Sequence, residues 1–580
     1  MISKLARYGI LVAMLFTLSG CEATSNRSDK PSPDWSRGLK LGVSPLNQPV
    51  ALQIDGEGHA HLVWYAKIEE ASKLHYAQLD DQAKIVVERD LDIPLFDPHK
   101  PQLLLDKRGN MHLALLARED GVKSLFHLLL GDDGEVLSEP TRLSAPTSGE
   151  DKGGEVESYQ ICLGQEEQVE VFWSDKEGIY HLRLDERGDV ISPSTLIVPQ
   201  GTDPSAQVDR SGTIHLAWVQ ESASEGPALY YAAFQVQELT QGTKLARLGL
   251  VPEAALYGPF LGLDMDNVYA FWSLEHRAGL EVGTAKSYYV SFPSGQPSRL
   301  TPRRINIASS DFVTMPSVAG GQRGEVTAAF NVYVSSGFKA QFEQSKMVEM
   351  GPVSVGFRPE MQLAQAVFAE GEMRGYQIAA KTDSASLRPN LVADPTSNLH
   401  LTWLDTAGFG RYDVYYASTS PPTKAWLDRT RPQDVLLEVA DLALGMLSGV
   451  ALLPFVVLWI FFPLLWLVLF YVFVGEEELE LKRVKVVLGI AIALYTGTKL
   501  MSLPSSLLYV PFLDKVSPLL YSALVSGVPL IILALGLAAI YAYARRAERA
   551  TLFPAFLVFA MTDALLSMAI YAPGIFGVGS

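Results

Sequence analysis

The chain has 580 residues, 48% of them hydrophobic and 19% charged, which excludes disorder as its main state and suits three or four domains, or one large repeat domain with a smaller companion. The formal net charge is −17, from 47 basic and 64 acidic residues, which argues against nucleic acid as the main partner because phosphate binding needs a basic face. Two cysteines cannot build a disulfide framework, and a mean hydropathy of +0.14 is high for so charged a chain, so the apolar residues must be concentrated; they lie at the two ends.

The N-terminus reads as an address. Lys4 and Arg7 make a basic start, and Ile10 to Leu18 is an apolar stretch too short to span a bilayer permanently. Leu18-Ser19-Gly20-Cys21 follows and resembles the lipobox of bacterial lipoproteins. That resemblance implies cleavage before Cys21, with the mature Cys21 fatty-acylated, palmitate among the expected chains. Residues 1–20 are then a signal peptide, and 21–34, polar and holding two prolines, a flexible tether. Cys162 is left as the free thiol; it sits in the apolar run Tyr159 to Leu163, which suits a small core residue better than a nucleophile.

Residues 35–430 repeat one motif seven times. Asp55, Gly58, His61 and Trp64 set the pattern Asp-x-x-Gly-x-x-His-Leu-x-Trp, which returns intact at Asp209, Gly212, His215 and Trp218. Asp106, Gly109 and His112 repeat it with Leu115 in the last place; Asp394, His400 and Trp403 repeat it with Ser397 for Gly. A degenerate copy holds Gly321, Gly324, Thr327 and Phe330, and two more keep the aromatic end at Trp173 and Trp272. A proline and a short apolar run precede most copies, a tyrosine-rich segment follows several, and Asp/Gly turns separate them. Four short strands per unit, repeated seven times, predict an all-β propeller of seven four-stranded blades. Asp and Gly suit the turn, while the last aromatic is placed to pack between blades. A His repeated from blade to blade is a framework residue, because a single active site needs no such copies. No metal and no cofactor is expected. Trp35 to Leu41 resembles the end-of-blade segments and is expected to supply the missing outer strand of blade seven. The longest spacing between copies predicts an insertion between Phe330 and Pro389, including Met347 to Arg374.

The repeats resemble those of sialidase-like bacterial propellers, a likeness covering roughly residues 35–430. It implies the fold, whereas propellers host many activities. The sialidase Asp box has Gly two residues after Asp, and here it is three. Sialidases also need three arginines on a carboxylate, a Tyr/Glu pair and an acid Asp, while Arg118, Arg277, Arg303, Arg304 and Arg388 are scattered along this sequence. No His-Glu-x-x-His, phosphate loop or Gly-x-Ser-x-Gly elbow occurs.

Residues 431–580 read as an all-α transmembrane domain. An apolar stretch from Leu442 to Phe473 holds Pro454 and Pro463, and either a single span or a hairpin fits it. Apolar stretches near Val486 to Leu503, Pro518 to Ala544 and Leu552 to Phe576 follow. With four helices, Lys482, Arg483 and Lys485 share the cytoplasmic side with Arg545, Arg546 and Arg549, which puts the propeller outside and agrees with the signal peptide. From residue 435 onward there are 8 basic and 9 acidic residues, leaving a net −16 on the rest of the precursor. Asp563 stands near the middle of the last span, with Lys499 a conceivable partner; helix packing weighs above transport. The leading expectation is an extracytoplasmic binding or assembly module at a bacterial plasma membrane. Its propeller would recognise a protein or glycan, and its helices would meet the membrane and a membrane-protein partner. Two alternatives stay open: a glycan-active enzyme, and a sensor or transporter accessory subunit.

Overall fold

The computed structural model describes residues 27–28 and 31–575, except 69–70, 145–153, 165–166, 223–225, 236–241, 280, 309, 321–323, 336–339, 344–345, 350–358, 383, 450–452, 503–507 and 509–516. The signal segment, Cys21 and Gly321 lie outside the described residues. The chain divides into two compact units, Met1–Arg429 and Thr430–Ser580.

The first unit is a seven-bladed propeller of four-stranded antiparallel sheets. It opens with β1 (Leu39–Ser44). Blade 1 is β2 (Ala51–Ile54), β3 (Ala60–Ile68), β4 (Ala71–Leu79) and β5 (Ile85–Leu91); blade 2 is β6 (Phe96–Leu105), β7 (Met111–Glu119), β8 (Val122–Leu130) and β9 (Thr141–Arg142). Blade 3 is β10 (Ser158–Leu163), β11 (Val169–Ser174), β12 (Gly178–Leu184) and β13 (Val190–Pro199); blade 4 is β14 (Gly201–Val208), β15 (Ile214–Ser222), β16 (Gly226–Phe234) and β17 (Thr243–Arg247). Blade 5 is β18 (Ala254–Leu263), β19 (Asn267–His276), β20 (Ala285–Pro293) and β21 (Arg303–Arg304). Blade 6 is β22 (Val313–Gly320) and β23 (Val326–Ser335), then, beyond a separate hairpin of β24 (Ala340–Glu343) and β25 (Lys346–Glu349), β26 (Pro359–Ala369) and β27 (Glu372–Ala380). Blade 7 is β28 (Ser386–Ala393), β29 (Leu399–Thr406) and β30 (Tyr412–Ser418), completed by β1.

The first strands β2, β6, β10, β14, β18, β22 and β28 touch one another in sequence and close into a ring. Closure is the device read from the sequence: β1 pairs antiparallel with β30 from Leu39↔Tyr416 to Ser44↔Tyr412. The Arg27 guanidinium adds to it by donating to the carbonyls of Leu427 (2.8 Å) and Trp426 (3.2 Å), at the end of α1 (Pro421–Leu427). The insertion is narrower than the spacing suggested. Residues from Pro359 to Arg374 belong to ordinary blade strands and their turn, with Val326↔Phe368 and Phe368↔Met373 in register, and among the described residues of this stretch only the β24–β25 hairpin departs from the blade plan.

Each motif aromatic packs against the preceding blade. Trp64 joins Leu404, Val414 and Tyr416 of blade 7; Trp173 joins Leu116 and Leu125 of blade 2; Trp218 joins Phe172, Ile179 and Val198 of blade 3. Its other face lies on the cross-strand partner, with ring centroids 4.2 Å apart for Trp173–Tyr180 and 5.3 Å for Trp403–Tyr415. Offset aromatic pairs of this kind contribute about 0.5–1.5 kcal/mol beyond the area they bury.

The second unit holds α2 (Pro432–Ser448), α3 (Leu453–Val474), α4 (Lys482–Ser502), α5 (Pro518–Arg546) and α6 (Leu552–Ile575). The long first apolar stretch is thus divided between two helices. Among the described residues four helices are long and apolar enough to cross a membrane: Pro454–Val474, Lys482–Ser502, Leu519–Arg546 and Leu552–Pro573. The loops after α3 and α5 meet, Leu479 N–H donating to the Ala550 carbonyl (3.0 Å) and Leu552 N–H to the Glu477 carbonyl (2.8 Å). This contact puts both basic loops at one end of the unit.

Candidate functional site

The repeated motif builds one end of the propeller. The Asp55 carboxylate accepts the N–H of Glu57 (2.9 Å) and His59 (2.8 Å), and Asp106, Asp209 and Asp394 do the same for the residues two and four ahead. Such a turn needs a left-handed residue at its fourth position, and Gly58, Gly109 and Gly212 have φ of +88°, +89° and +79°. Ser397 takes φ 68° where Gly is replaced.

The motif His is buried between this Asp and a side chain on the third strand. His215 lies 2.6 Å from Tyr231 Oη through Nδ1 and 3.2 Å from Asp209 through Nε2; His61 joins Tyr76 (2.8 Å) and Asp55 (3.4 Å) likewise. His400 joins Tyr416 (2.7 Å) and Asp394 (3.4 Å), and His112 meets His127 (3.0 Å). Blade 3 writes the same pair as Glu170 and His181, 2.6 Å apart, and in blade 5 Tyr269 donates directly to Asp264 (2.7 Å). Burial pushes His61, His112 and His215 below the ordinary imidazole range and His127 down to about 3, so these rings stay neutral. Burial opposes ionisation of Asp394, but hydrogen bonds from His400, Asn398 and Thr396 outweigh it and hold the carboxyl well below its usual range. The pairs are buried and recur from blade to blade, a pattern that fits a framework, and among the described residues His112 Nε2 alone of these buried ring nitrogens has no hydrogen-bond partner. Among the described residues no group of three or more His, Cys, Asp or Glu is arranged to hold a metal ion. Cys162 is also structural: it packs beside the Phe172 and Trp218 cluster, and burial pushes its thiol far up.

The other end of the ring carries different chemistry. There the first strand of five blades is bulged at a residue followed by proline: Lys100, Asp203, Gly258, Met315 and Arg388. Four of these are not glycine and still hold φ of 50° (Lys100), 51° (Asp203), 52° (Met315) and 53° (Arg388). Left-handed backbone at a non-glycine residue costs roughly 1–3 kcal/mol and persists only where the surroundings impose it. Here neighbouring blades do so. Gln102 donates to the Tyr159 carbonyl (3.1 Å), Gln207 to that of Leu261 (2.8 Å) and Asn390 to that of Val50 (2.8 Å), locking adjacent first strands together.

These bulges gather charge at the mouth of the ring. Asn47 and Gln48 are consecutive, and they hold Arg388 Nε (3.2 Å) and the Lys100 N–H (2.8 Å), so the two cationic residues flank one dipeptide. Lys100 is within electrostatic reach of Lys123, Asp203 and Arg388. Burial in the concave mouth, then the neighbouring cations, push its ammonium down, and burial pushes the Asp203 carboxyl up. Arg388 in turn faces Tyr257, Glu275, Arg277 and Tyr412. The Tyr257 hydroxyl donates to Glu275 Oε2 (2.6 Å) and accepts from Arg277 Nη2 (2.8 Å). Arg118 stands at the same end of blade 2, 3.9 Å from Asp97 and 3.8 Å from Glu155. The structure therefore draws Arg277 and Arg388 to one place, while Arg303 is engaged with Glu372 (2.6 Å) and Arg304 with Asp311 (3.9 Å). Sequence reasoning missed Lys100, Asp203, Tyr257 and Glu275. Their one signal was the proline that follows Lys100 and Asp203 in the repeat.

In the helical unit Lys499 and Asp563 are both buried and paired. Lys499 Nζ lies 2.7 Å and 2.9 Å from the two Asp563 oxygens and 3.3 Å from Ser567 Oγ, which itself donates to Asp563 (3.3 Å). Tyr495, Phe556 and Phe559 belong to the apolar cluster of the same helices.

No protein-family profile and no curated protein matches the chain. Solved structures similar to it include a polysaccharide lyase PL25 ulvan lyase (10% identity, TM-score 0.43, covering 64% of this chain and 93% of that one). An exo-β-1,3-galactanase from Clostridium thermocellum is also similar (10%, 0.31, 65% and 96%), as is BBS1N in complex with ARL6DN (11%, 0.35, 66% and 96%). At such identities and scores they carry no argument about activity.

Proposed function

We propose that this chain is a membrane-held binding module whose propeller docks a protein or glycan partner at the charged mouth, with the helices as its anchor. The observation that supports this reading is the gathering of Lys100, Lys123 and Arg388. Among the described residues none of the three has a carboxylate at ion-pair distance, although residues 1–434 carry a net −16. Like charges brought together raise the energy of the free protein, and an anionic partner lowers it again. The lipobox and the loop charges support an extracytoplasmic propeller attached twice, by acylated Cys21 and by the helices. The test is capture of partners by tagged full-length protein from its native membrane, compared with Lys100→Glu/Arg388→Glu and with Lys499→Leu/Asp563→Leu. Loss of the partner in the mouth variant supports docking there. Loss only in the helix variant assigns the partner to the membrane domain instead, and a partner indifferent to the mouth variant refutes the mouth as its site.

A second reading, a glycan-active enzyme, is favoured by the Tyr257–Glu275 contact beside Arg277 and by the raised carboxyl of Asp203. A screen of the full-length protein for glycan cleavage, with Tyr257→Phe as control, decides it: cleavage lost in that variant supports the reading, and no cleavage by the parent protein removes it.

A further inference from the structure

Resting on the mouth as a docking site, we infer that its ligand is an anionic glycan, a sugar chain bearing carboxylate or sulfate groups, held by Lys100 and Arg388 through the anion and by Asp203 and the Asn47–Gln48 pair through hydroxyls. The argument starts from the mixed sign of the site. Among the described residues no carboxylate lies at ion-pair distance from Lys100, Lys123 or Arg388, although Asp203 and Glu275 are within electrostatic reach, so an anionic group can take their donors in charge-assisted hydrogen bonds. Yet Asp203 and Glu275 share the mouth, and Asp97, Glu155 and Glu157 stand at its rim. An acidic peptide, charged at successive residues, would place further carboxylates against these and lose by repulsion what it gains on the cations. A sugar ring carries one anionic group and several neutral hydroxyls. The anion takes the cations, and the hydroxyls donate to Asp203.

Two further observations fit a sugar. The polar groups are held rigidly before any ligand arrives. The backbone at Lys100, Asp203 and Arg388 is fixed in the left-handed region by the bulged strands, and the Arg388 Nε and Lys100 N–H are already oriented by Asn47 and Gln48. Rigid placement limits the ordering cost of binding a weakly apolar ligand. Exposed aromatic faces also stand at the same end of the ring: Phe96 is 74% exposed at the start of β6, and Phe409, at the tip of the β29–β30 hairpin, is fully exposed. The apolar face of a pyranose packs on such rings.

The experiment uses the full-length protein in lipid nanodiscs and measures binding by calorimetry. The probes are an oligogalacturonate, its methyl ester, a sulfated chondroitin oligosaccharide, a neutral malto-oligosaccharide, inorganic phosphate and a polyglutamate peptide. At least one anionic sugar is expected to bind roughly tenfold or more tightly than the neutral sugar and the ester, and Lys100→Gln/Arg388→Gln is expected to erase that advantage. Lys107→Gln, in the turn at the opposite end, should leave it unchanged, and an unaltered thermal midpoint shows that each variant folds. Equal binding of neutral and anionic sugars, or an advantage that survives the double substitution, overturns the inference. Tighter binding of polyglutamate or of phosphate alone overturns the glycan while leaving the mouth as a docking site. Binding of none of the probes, together with partner capture indifferent to Lys100→Glu/Arg388→Glu, overturns both.

Discussion

Breaking the Lys499–Asp563 pair one side at a time is expected to cost far more than removing it whole. Both groups are buried, at 5% and 1% exposure, both carboxylate oxygens lie within 2.9 Å of the ammonium, and Ser567 completes the arrangement. In Asp563→Leu the ammonium loses its counter-charge in an apolar cluster, and in Lys499→Leu the carboxylate does. Leaving one charge of a buried pair uncompensated costs about 3–5 kcal/mol, whereas replacing both by apolar groups of similar volume is about neutral. A reference state with separated helices in lipid finds substitute partners and lowers the measured cost, so about 2–4 kcal/mol is expected for either single change. The double variant Lys499→Leu/Asp563→Leu should recover most of it. The assay is equilibrium unfolding of the full-length protein in mixed micelles with increasing denaturing detergent, followed by tryptophan fluorescence; Trp459, buried beside Tyr495, reports on the same cluster. Single variants within about 0.5 kcal/mol of the parent, or a double variant as unstable as the sum of the singles, would refute the reasoning. A double variant that is stable but no longer supports the cellular function would shift weight toward the sensor or transporter reading.

Three further outcomes follow from the propeller. Asp405 is buried, accepts from Ser386 (2.8 Å) and Trp403 (3.0 Å), and is pushed by burial up to about 6, from about 3.8 for an ordinary aspartate. A raised folded value means that the carboxyl contributes stability when protonated. That stability is full below about pH 4 and fades as pH climbs through 6, a difference of about 3 kcal/mol. Asp405→Asn should therefore raise the thermal midpoint at pH 7 and leave it nearly unchanged at pH 4; an equal effect at both removes the titration argument. His215→Phe strands the buried Tyr231 hydroxyl and should cost about 1–3 kcal/mol by chemical unfolding, whereas His215→Phe/Tyr231→Phe should cost less than the sum of its singles; strict additivity counts against the coupled pair. In Gly38→Ala the new Cβ would lie 2.5 Å from Cη2 of the buried Trp403 and 2.9 Å from Ser28 Oγ, beside the closing strand. A loss of about 1–3 kcal/mol is expected, and no change in the thermal midpoint would mean that the closure carries little of the stability.

Much of the fold was legible because propeller blades are built from local pattern. Asp55, Gly58, His61 and Trp64 lie within ten residues, so turn, strand and inter-blade aromatic were written together and then repeated. The outer strand of blade seven could be assigned because Trp35 to Leu41 had no other blade to join. The four membrane-length helices followed from run length alone. The insertion was drawn too wide because sequence spacing gives the amount of extra chain and does not locate it: Met373 and Arg374 lie in a regular strand, while the added hairpin falls at Ala340–Glu349. The partners of the repeated histidines were only half visible, since Tyr76 and His61 are fifteen residues apart and meet through antiparallel register.

By itself the sequence determined the seven blades and the succession of a propeller and membrane-length helices, because each depends on contacts between residues near in the chain or on a period repeated along it. The tertiary structure decided the mouth. Lys100, Asp203, Tyr257 and Arg388 stand in four different blades, separated by between 54 and 131 residues from one to the next, and no local pattern relates their charges. They come together because seven first strands converge on one axis, and because a bulge before proline, repeated in five of them, sets each residue at the same end of the ring.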